Sequence, residues 1–320
     1  MLVRLFLLST FCLTHHVSAQ TAATEVPAHE SPAKKHHAYI IYSPDNSLHS
    51  NIVTKLSKDL QLRHPDIIVS ETTPQKKASI DNADLDIVIG IGRAGMQSAN
   101  QHYPKTKKLF IATDPNQHRL KINEGDAVLY MTQSYCRQIK FIRQLNAHWK
   151  TISVLSSEKK PVDDQPIQQC AEKHDFKIYK VNTTAKENLT NKIKDALKNS
   201  DVLLALPDRN IYNSRTVKNI LLTSYRYRKP VIAFSKNFVN AGALAALHSN
   251  TDQIAQSASH IVKQYFDAGS HFKQQVNHPE NFDISINRQV FRALDLKTPD
   301  IEKIKNSLQH KAQDEAGKSL

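Results

Sequence analysis

Short, continuously apolar runs alternate along the chain with longer segments in which apolar residues recur at helical spacing. The first run, residues 38–42, ends in a polar turn, and the next segment places Ile52, Val53, Leu56 and Leu60 three and four residues apart, which predicts a helix. The apolar runs do not alternate with polar residues. They therefore predict strands buried on both faces, as in parallel sheets covered by helices.

This alternation passes through two successive sets. The first set ends with a helix predicted at about 134–149, and the second begins with a strand predicted at 151–155. After the second set come an apolar run at 243–247, a helix predicted at 251–267 and one more strand at 282–286. The pattern predicts an α/β protein with two lobes of similar architecture, in which the chain crosses back to the first lobe after the second set.

The N-terminus has the three parts of an export signal. Arg4 supplies the positive charge, residues 5–13 form an apolar stretch, and residues 17–19 form a small-residue cleavage site. The apolar stretch is about half as long as a membrane-spanning helix. The sequence therefore predicts a cleaved signal peptide over 1–19, a flexible leader over 20–37, and a mature protein in the periplasm.

The composition is that of a globular protein, with 40% hydrophobic and 23% charged residues. Forty-three basic residues against thirty acidic ones give a formal net charge of +13. An exported protein meets little nucleic acid, and the basic residues are scattered over predicted helix faces, so we expect no nucleic-acid partner. The charge favours an anionic ligand or an acidic membrane surface only mildly.

Two cysteines, Cys136 and Cys170, remain after signal cleavage and lie on two predicted helices. Export permits a disulfide, but the sequence leaves open whether these two residues form one. The sequence contains no G-x-S-x-G, no H-E-x-x-H and no phosphate-binding loop motif. We therefore expect no enzyme activity, no catalytic residue, no cofactor and no metal site.

One nucleotide-binding pattern is nevertheless present. Gly90, Gly92 and Gly95 form a G-x-G-x-x-G motif between a predicted strand and a predicted helix, and Asp114 follows about twenty residues later. The motif follows the third predicted strand, whereas a dinucleotide-binding motif usually follows the first strand of its unit. A nucleotide-dependent enzyme therefore stays the least favoured alternative.

Polar residues cluster where predicted strands end, which is where open α/β sheets bind ligands. Each of them is equally suited to cap a helix or to form a turn, so only the whole set, facing across two lobes, predicts a ligand-binding cleft. The members are Ser43, Asp45, Gly92, Arg93, Asp114 and Asn116 in the first set, and Ser156, Asn182, Thr183, Asp208, Asn210, Asn213, Ser235 and Asn237 in the second.

Four segments of the second set together resemble the periplasmic substrate-binding component of ABC transporters, in the family that includes tryptophan and other aromatic amino-acid binding proteins. These segments are 207–214 (PDRNIYNS), 219–224 (NILLTS), 229–235 (KPVIAFS) and 239–245 (VNAGALA). The first-lobe loops at 90–92 and 113–115 and the terminal segment at 286–299 resemble the same family.

This resemblance implies a type I periplasmic-binding fold, with two Rossmann-like lobes joined by three crossovers that close on a small ligand. We expect the first lobe to contain residues 38–148 and 243–281, and the second lobe to contain residues 149–242 and 282–320. The ligand-binding residues expected from the strand ends and from the family's motifs are Ser43, Gly92, Arg93, Asp114, Asp208, Asn213, Ser235 and Gly242.

The chain departs from the family pattern at Arg93, where a small or hydroxyl residue is usual, and after Asp114, where the usual glycine is absent. Arg93 either pairs with a carboxylate or phosphate of the ligand or faces solvent. These departures leave the ligand open beyond a small solute such as an amino acid or a small carboxylate. The resemblance implies a monomer that delivers this solute to an inner-membrane ABC permease, and a periplasmic sensor subunit is the alternative.

Overall fold

The computed structural model describes residues 35–76, 84–113, 122–162 and 164–316. The predicted signal peptide lies outside these residues. The predicted leader is described only from Lys35, and the first strand begins at His36, within the range expected for the leader.

Within the described residues, the strands form two six-stranded sheets. Their bounds are His36–Ile41 (β1), Ile67–Thr72 (β2), Ile87–Ile91 (β3), Lys108–Ile111 (β4), Ala127–Leu129 (β5), Thr151–Ser157 (β6), Lys177–Thr183 (β7), Val202–Leu204 (β8), Val231–Ala233 (β9), Ala245–His248 (β10), Val276–Asn277 (β11) and Asp283–Ile286 (β12).

The helices cover both faces of these sheets, and none of those in the described ranges is long and apolar enough to cross a lipid bilayer. Their bounds are Ser47–Arg63 (α1), Gly92–His102 (α2), Tyr135–Leu145 (α3), Asp164–Glu172 (α4), Leu189–Lys198 (α5), Val217–Arg226 (α6), Lys236–Asn240 (α7), Thr251–Asp267 (α8), Arg288–Ala293 (α9) and Ile301–Ala316 (α10).

The first sheet has the strand order β11-β5-β4-β3-β1-β2, and all its neighbouring strands are parallel. The second sheet has the order β12-β10-β9-β8-β6-β7, and only β12, at its edge, runs antiparallel to its neighbour. The strands in the middle of both sheets are buried along their whole length. The prediction of parallel sheets with helices on both faces is therefore confirmed, with the exception of the antiparallel edge strand.

Each lobe has a hydrophobic core on both faces of its sheet. In the first lobe, α1 and α8 pack together against one face through residues such as Leu56 and Ile254, while Met96 of α2 packs against the other face. In the second lobe, Ile139 of α3 and Ile193 of α5 lie on opposite faces. Burial on both faces stabilises each sheet through its own apolar residues.

Two elements that we predicted in the first lobe belong to the second. Ile139, Phe141 and Ile142 of α3 pack into the core of the second sheet, and β10 pairs with β9 and β12 of that sheet. The chain thus crosses between the lobes at residues 130–134, 249–250 and 278–282, which we call crossovers one, two and three. The predicted boundaries at 148 and 242 are corrected accordingly, because an apolar stripe indicates burial without indicating which sheet covers it.

The pairing of the cysteines, which the sequence left open, is visible in the structure. Cys136 of α3 and Cys170 of α4 form a disulfide with a Cα–Cα distance of 4.9 Å. The bond joins two helices on the same face of the second sheet, so it cross-links the second lobe internally and does not restrain one lobe against the other.

Candidate functional site

Each sheet has one position where the strand order reverses, and the loops that leave the neighbouring strands there diverge and form a crevice. In the first sheet this switch point lies between β1 and β3, and in the second it lies between β6 and β8. Open α/β sheets bind ligands outside the carboxyl ends of the strands at such a point. The candidate site is therefore built from four loops, two in each lobe.

At the first switch point, the loop after β1 places a histidine over the start of α2. The side chain of Asn46 caps α1 by accepting hydrogen bonds from the backbone N–H groups of Leu48 and His49, at 3.1 and 3.2 Å. This cap fixes His49 in the first turn of the helix. A Cβ atom on Gly92, which has a φ of +71°, would overlap the His49 ring. Only glycine therefore allows the ring to lie on the backbone at this point.

The remaining glycines of the G-x-G-x-x-G motif are explained by packing. A Cβ atom on Gly95 would overlap the carbonyl oxygen of Ile41 in β1, and one on Gly90 would lie 3.0 Å from the carbonyl oxygen of Gly95. These contacts bring α2 close to β1 and β3. The motif therefore has a structural cause in this chain without any bound nucleotide.

At the second switch point, Asp208 ties together the loops that follow β6 and β8. Its carboxylate is buried and accepts hydrogen bonds from the backbone N–H of Ser157 at 2.9 Å and from that of Asn210 at 2.9 Å. The side-chain amide of Asn210 donates to the same carboxylate at 3.0 Å and to Ser157 Oγ at 3.1 Å. Asp208 therefore organises the wall of the site, and its carboxylate already accepts three hydrogen bonds from the protein.

Asn213 closes the same loop from its other end. Its Nδ2 donates to the carbonyl of Arg209 at 2.9 Å, and its Oδ1 accepts from the backbone N–H of Arg215 at 3.0 Å. The backbone of Arg209 is thus held on both sides, by Asp208 before it and by Asn213 after it. The Arg209 side chain is exposed, and it extends from a backbone that these hydrogen bonds hold in place.

His49 at the first switch point is influenced electrostatically by Arg209 at the second. Burial lowers the pKa of His49, and the positive charge of Arg209 lowers it further. Both effects favour the neutral form of the His49 ring, whose buried Nδ1 has no hydrogen-bond partner among the described residues.

A depression of about 240 Å³ adjoins the second switch point at the ends of β6 and β7. Its polar lining includes the hydroxyl groups of Ser157 and Thr183. The volume lies below the roughly 300–1,000 Å³ of complete ligand pockets. A smaller volume is expected when the depression is one wall of a site shared by two lobes. The lining residues are Ser157, Glu158, Lys159, Thr183, Thr184, Ala185, Glu187, Leu189 and Asn210.

Most of the residues expected at the cleft lie at carboxyl ends of strands. Ser43 is half-buried in the loop after β1, and Arg93 is exposed in the first turn of α2. Ser235 is half-buried after β9 and makes no capping hydrogen bond to α7. Together with Gly92, these residues can offer donors to a ligand, whereas the side chains of Asp208 and Asn213 make their hydrogen bonds within the second-lobe loops around Arg209.

One of the expected residues, Gly242, is not part of this arrangement. Gly242 has a φ of +120° in the turn between α7 and β10. The backbone N–H of Leu244, two residues later, pairs with the carbonyl of Val231 at the beginning of β9. Because α7 has only five residues, the chain has returned by then to the amino edge of the sheet, opposite the cleft. Asp114 lies outside the described residues.

Neither His49 nor Arg209 is among the ligand-binding residues expected from the sequence. The place of His49 in the first helical turn after the first strand is a usable signal. Arg209 lies in the segment that carries the family resemblance, next to Asp208, but an arginine in a loop reads as a surface residue. Both residues stand out only in the folded chain, because the loops that carry them lie at the two switch points.

Replacing Gly92 by alanine is expected to destabilise the protein more than the same replacement at Gly269. Both glycines have a left-handed backbone, with φ of +71° and +68°, and alanine there costs about 1–2 kcal/mol. A Cβ on Gly269 meets nothing within 4 Å, so Gly269→Ala measures backbone strain alone. Gly92→Ala must also displace the His49 ring. Calorimetric unfolding compares the two variants.

The double variant His49→Ala/Gly92→Ala is expected to be more stable than Gly92→Ala. It should recover that part of the lost unfolding free energy by which Gly92→Ala exceeds Gly269→Ala. Equal losses in the two single variants, or no recovery in the double variant, would show that the His49 ring does not rest on Gly92. The same measurement in the presence of a ligand reports whether the His49–Gly92 contact shapes the cleft.

Residues 131–309 match the family model described as "ABC transporter substrate binding protein". The match begins in crossover one and spans the second lobe, the return to the first lobe and crossover three. No curated protein sequence matches the chain.

Several solved structures have the same fold, and nearly the whole length of each aligns with this chain. A substrate-binding protein with adhesive properties from Clostridium difficile, in its ligand-free, open form, is 18% identical with a TM-score of 0.60, over 84% of this chain and 97% of that one. An ABC domain in complex with L-Trp from Streptococcus pneumonia is 15% identical with a TM-score of 0.54, over 85% and 98%. A conserved domain protein from Vibrio cholerae is 17% identical with a TM-score of 0.53, over 85% and 98%. At these identities the likeness shows the fold, and it confirms the expected type I periplasmic-binding architecture.

Proposed function

Because the chain belongs to the family of ABC transporter substrate-binding proteins, we propose that it is an exported solute-binding protein whose two lobes close on a small ligand and deliver it to an inner-membrane ABC permease. The family is one of solute-binding proteins and not an enzyme class. The observation that carries the proposal is the pair of switch points, one in each lobe, since open α/β sheets bind ligands at such points. A ligand that contacts both lobes favours the closed state over the open one.

The proposed ligand is an amino acid or a small carboxylate. Arg209 and Arg93 are exposed cations beside the two switch points, and no side chain caps the N-terminus of α2. Guanidinium groups and free backbone N–H groups at a helix start are suited to bind a carboxylate. The similar domain from Streptococcus pneumonia binds L-Trp, which supports an amino acid as the starting hypothesis.

The residues proposed to contact the ligand are Ser43, Gly92, Arg93, Asp114 and Ser235 from the sequence, together with His49 and Arg209. Asp208 and Asn213 are proposed to act indirectly, by holding the loop that carries Arg209. The proposed signal peptide over residues 1–19 delivers the protein to the periplasm, where it is proposed to act as a monomer. This location agrees with the extracellular or periplasmic character of the family.

A thermal-shift screen of residues 20–320 tests the proposed function. The panel contains amino acids, small carboxylates, sugars, inorganic phosphate and NAD(P). A solute present at 100 times its Kd stabilises the protein by about 2.7 kcal/mol, which is a visible shift. We expect a shift with an amino acid or a small carboxylate, whereas a shift with NAD(P) alone would contradict the proposal and restore the nucleotide alternative.

Two matched variants locate the binding of any solute that the screen identifies. Arg209→Met is expected to weaken binding about tenfold or more, since a hydrogen bond to a charged group contributes about 1.5–3 kcal/mol. Arg226→Met removes an exposed arginine from the last turn of α6 and should leave the affinity unchanged. Equal affinities for the two variants would place the ligand away from the second switch point.

A further inference from the structure

One buried side chain in crossover one contacts both crossover two and crossover three. Gln133 is only 3% exposed and immediately precedes the N-cap residue of α3. Its Nε2 lies 2.6 Å from Ser249 Oγ in crossover two, and 3.3 and 3.4 Å from the carbonyl oxygens of Pro279 and Asn281 in crossover three. The three connections between the lobes therefore meet at a single amide group.

The direction of each hydrogen bond in this group follows from the partners. Carbonyl oxygens can only accept, so the amide NH₂ of Gln133 must face Pro279 and Asn281. Its Oε1 faces the guanidinium of Arg137, which can only donate and which also donates to the Pro279 carbonyl at 2.9 Å. Ser249 donates to the Asn281 carbonyl at 2.8 Å and so accepts from Gln133. Each partner has a complementary role, and because the amide has two hydrogens for three acceptors, the more distant carbonyls of Pro279 and Asn281 share one of them.

Other hydrogen bonds near the crossovers join fewer elements. His278 Nδ1 lies 2.8 Å from the Thr132 carbonyl, and the His278 ring stacks on Tyr130, so this group joins crossovers one and three. Gln138 Nε2 donates to the Leu247 carbonyl at 3.2 Å, which joins α3 to β10 within the second lobe. Among the hydrogen bonds of the described residues, those of Gln133 reach all three crossovers.

We infer that Gln133 is a positioning residue that couples the three crossovers and sets the balance between open and closed lobes. This inference rests on the proposed function, since it assumes that the lobes move. Lobe closure in such a fold is absorbed by dihedral changes in a few connecting residues. When one amide binds all three connections, these cannot change independently, so the Gln133 bonds limit the range of angles between the lobes.

The test measures the distance between the lobes in the ligand-free protein. Spin labels at Gln97→Cys in α2 and Lys218→Cys in α6 lie on exposed positions of different lobes, while Cys136 and Cys170 are unavailable for labelling because they are paired. Adding Gln133→Leu is expected to broaden the distance distribution measured by electron–electron double resonance. A distribution as narrow as that of the parent protein would overturn the inference.

Gln138→Leu is the matched control, because Gln138 is equally buried, of the same type, and donates to the Leu247 carbonyl within the second lobe. It is expected to leave the distance distribution as narrow as that of the parent protein. If both variants broaden it equally, Gln133 has no special role and the inference fails. Should Gln133→Leu not fold, Ser249→Ala removes a single partner of the network and is expected to give a smaller broadening.

Hydrogen exchange gives a second readout that needs neither labels nor ligand. In Gln133→Leu, backbone amides of all three crossovers are expected to exchange about tenfold faster, the order expected when one or two net hydrogen bonds are lost. Faster exchange confined to crossover one would show a local structural role and would overturn the coupling. A screen that finds no solute leaves both measurements intact, so the failure of the proposed ligand and the failure of this inference can be told apart.

Discussion

Replacing Asp126 by alanine is expected to lower the free energy of unfolding by about 3–5 kcal/mol, because it leaves the Lys108 ammonium buried without its counter-charge. Lys108 and Asp126 are 1% and 2% exposed, and their Nζ and Oδ2 atoms lie 3.7 Å apart. The other carboxylate oxygen accepts the backbone N–H of Lys108 at 3.0 Å. Burial lowers the pKa of Lys108 and raises that of Asp126, while the attraction between them opposes both shifts.

Asp267→Ala is the control, since it breaks the exposed pair between Lys263 and Asp267 in α8. Exposed pairs contribute about 0–1 kcal/mol, so this loss is expected to be several times smaller. The double variant Lys108→Met/Asp126→Leu is expected to be more stable than Asp126→Ala, because both variants lose the acceptor of the Lys108 backbone N–H but only the double variant leaves no uncompensated buried charge. Urea unfolding measures all three proteins, and equal losses for Asp126→Ala and Asp267→Ala would refute the role of burial.

Removing the disulfide is expected to lower the stability of the second lobe by about 3–4 kcal/mol. Cys136 and Cys170 are 34 residues apart in sequence, and the chain-entropy estimate for a loop of that length has this magnitude. Cys170 is buried in the core cluster against which Cys136 packs, so the loss should be confined to the second lobe. At roughly 2–4 °C per kcal/mol, Cys136→Ala/Cys170→Ala should melt about 10 °C below the parent protein.

Scanning calorimetry with and without reductant checks this result. Reductant should lower the transition of the parent protein to near that of the double alanine variant, and should not change the variant itself. A parent protein that melts at the same temperature in both conditions would show that the bond does not stabilise the lobe. Protein produced in a reducing cytoplasm should resemble the variant, which links this bond to export.

The strands and helices were predictable from the sequence because their signals are local. The continuous apolar runs that became β3, β8 and β9 are buried along their whole length, as the pattern indicated. The helical spacing of Ile52, Val53, Leu56 and Leu60 places all four in the core. Periodicity and burial are properties of neighbouring residues, so they can be read without knowing the partner surface.

The site was predictable only in part. The strand ends led to Ser43, Gly92, Arg93 and Ser235, but the same reasoning could not distinguish a free polar group from one used in the loop, as at Asp208. The sequence does not distinguish a carboxylate that accepts three hydrogen bonds from the protein from one that is free to bind a ligand. His49 was missed because its significance depends on Gly92 and Arg209, which are distant in sequence.

The sequence by itself determined the class of fold, the positions of the strands and helices, and the resemblance to a substrate-binding family. The tertiary structure alone decided that α3 and β10 join the second sheet, that Cys136 pairs with Cys170, that Gly242 lies away from the cleft, and that Gln133 joins the crossovers. All four depend on which surfaces meet across long stretches of chain. Hydrophobic patterning specifies that a residue is buried, whereas the identity of its neighbours follows from the packing of the whole molecule.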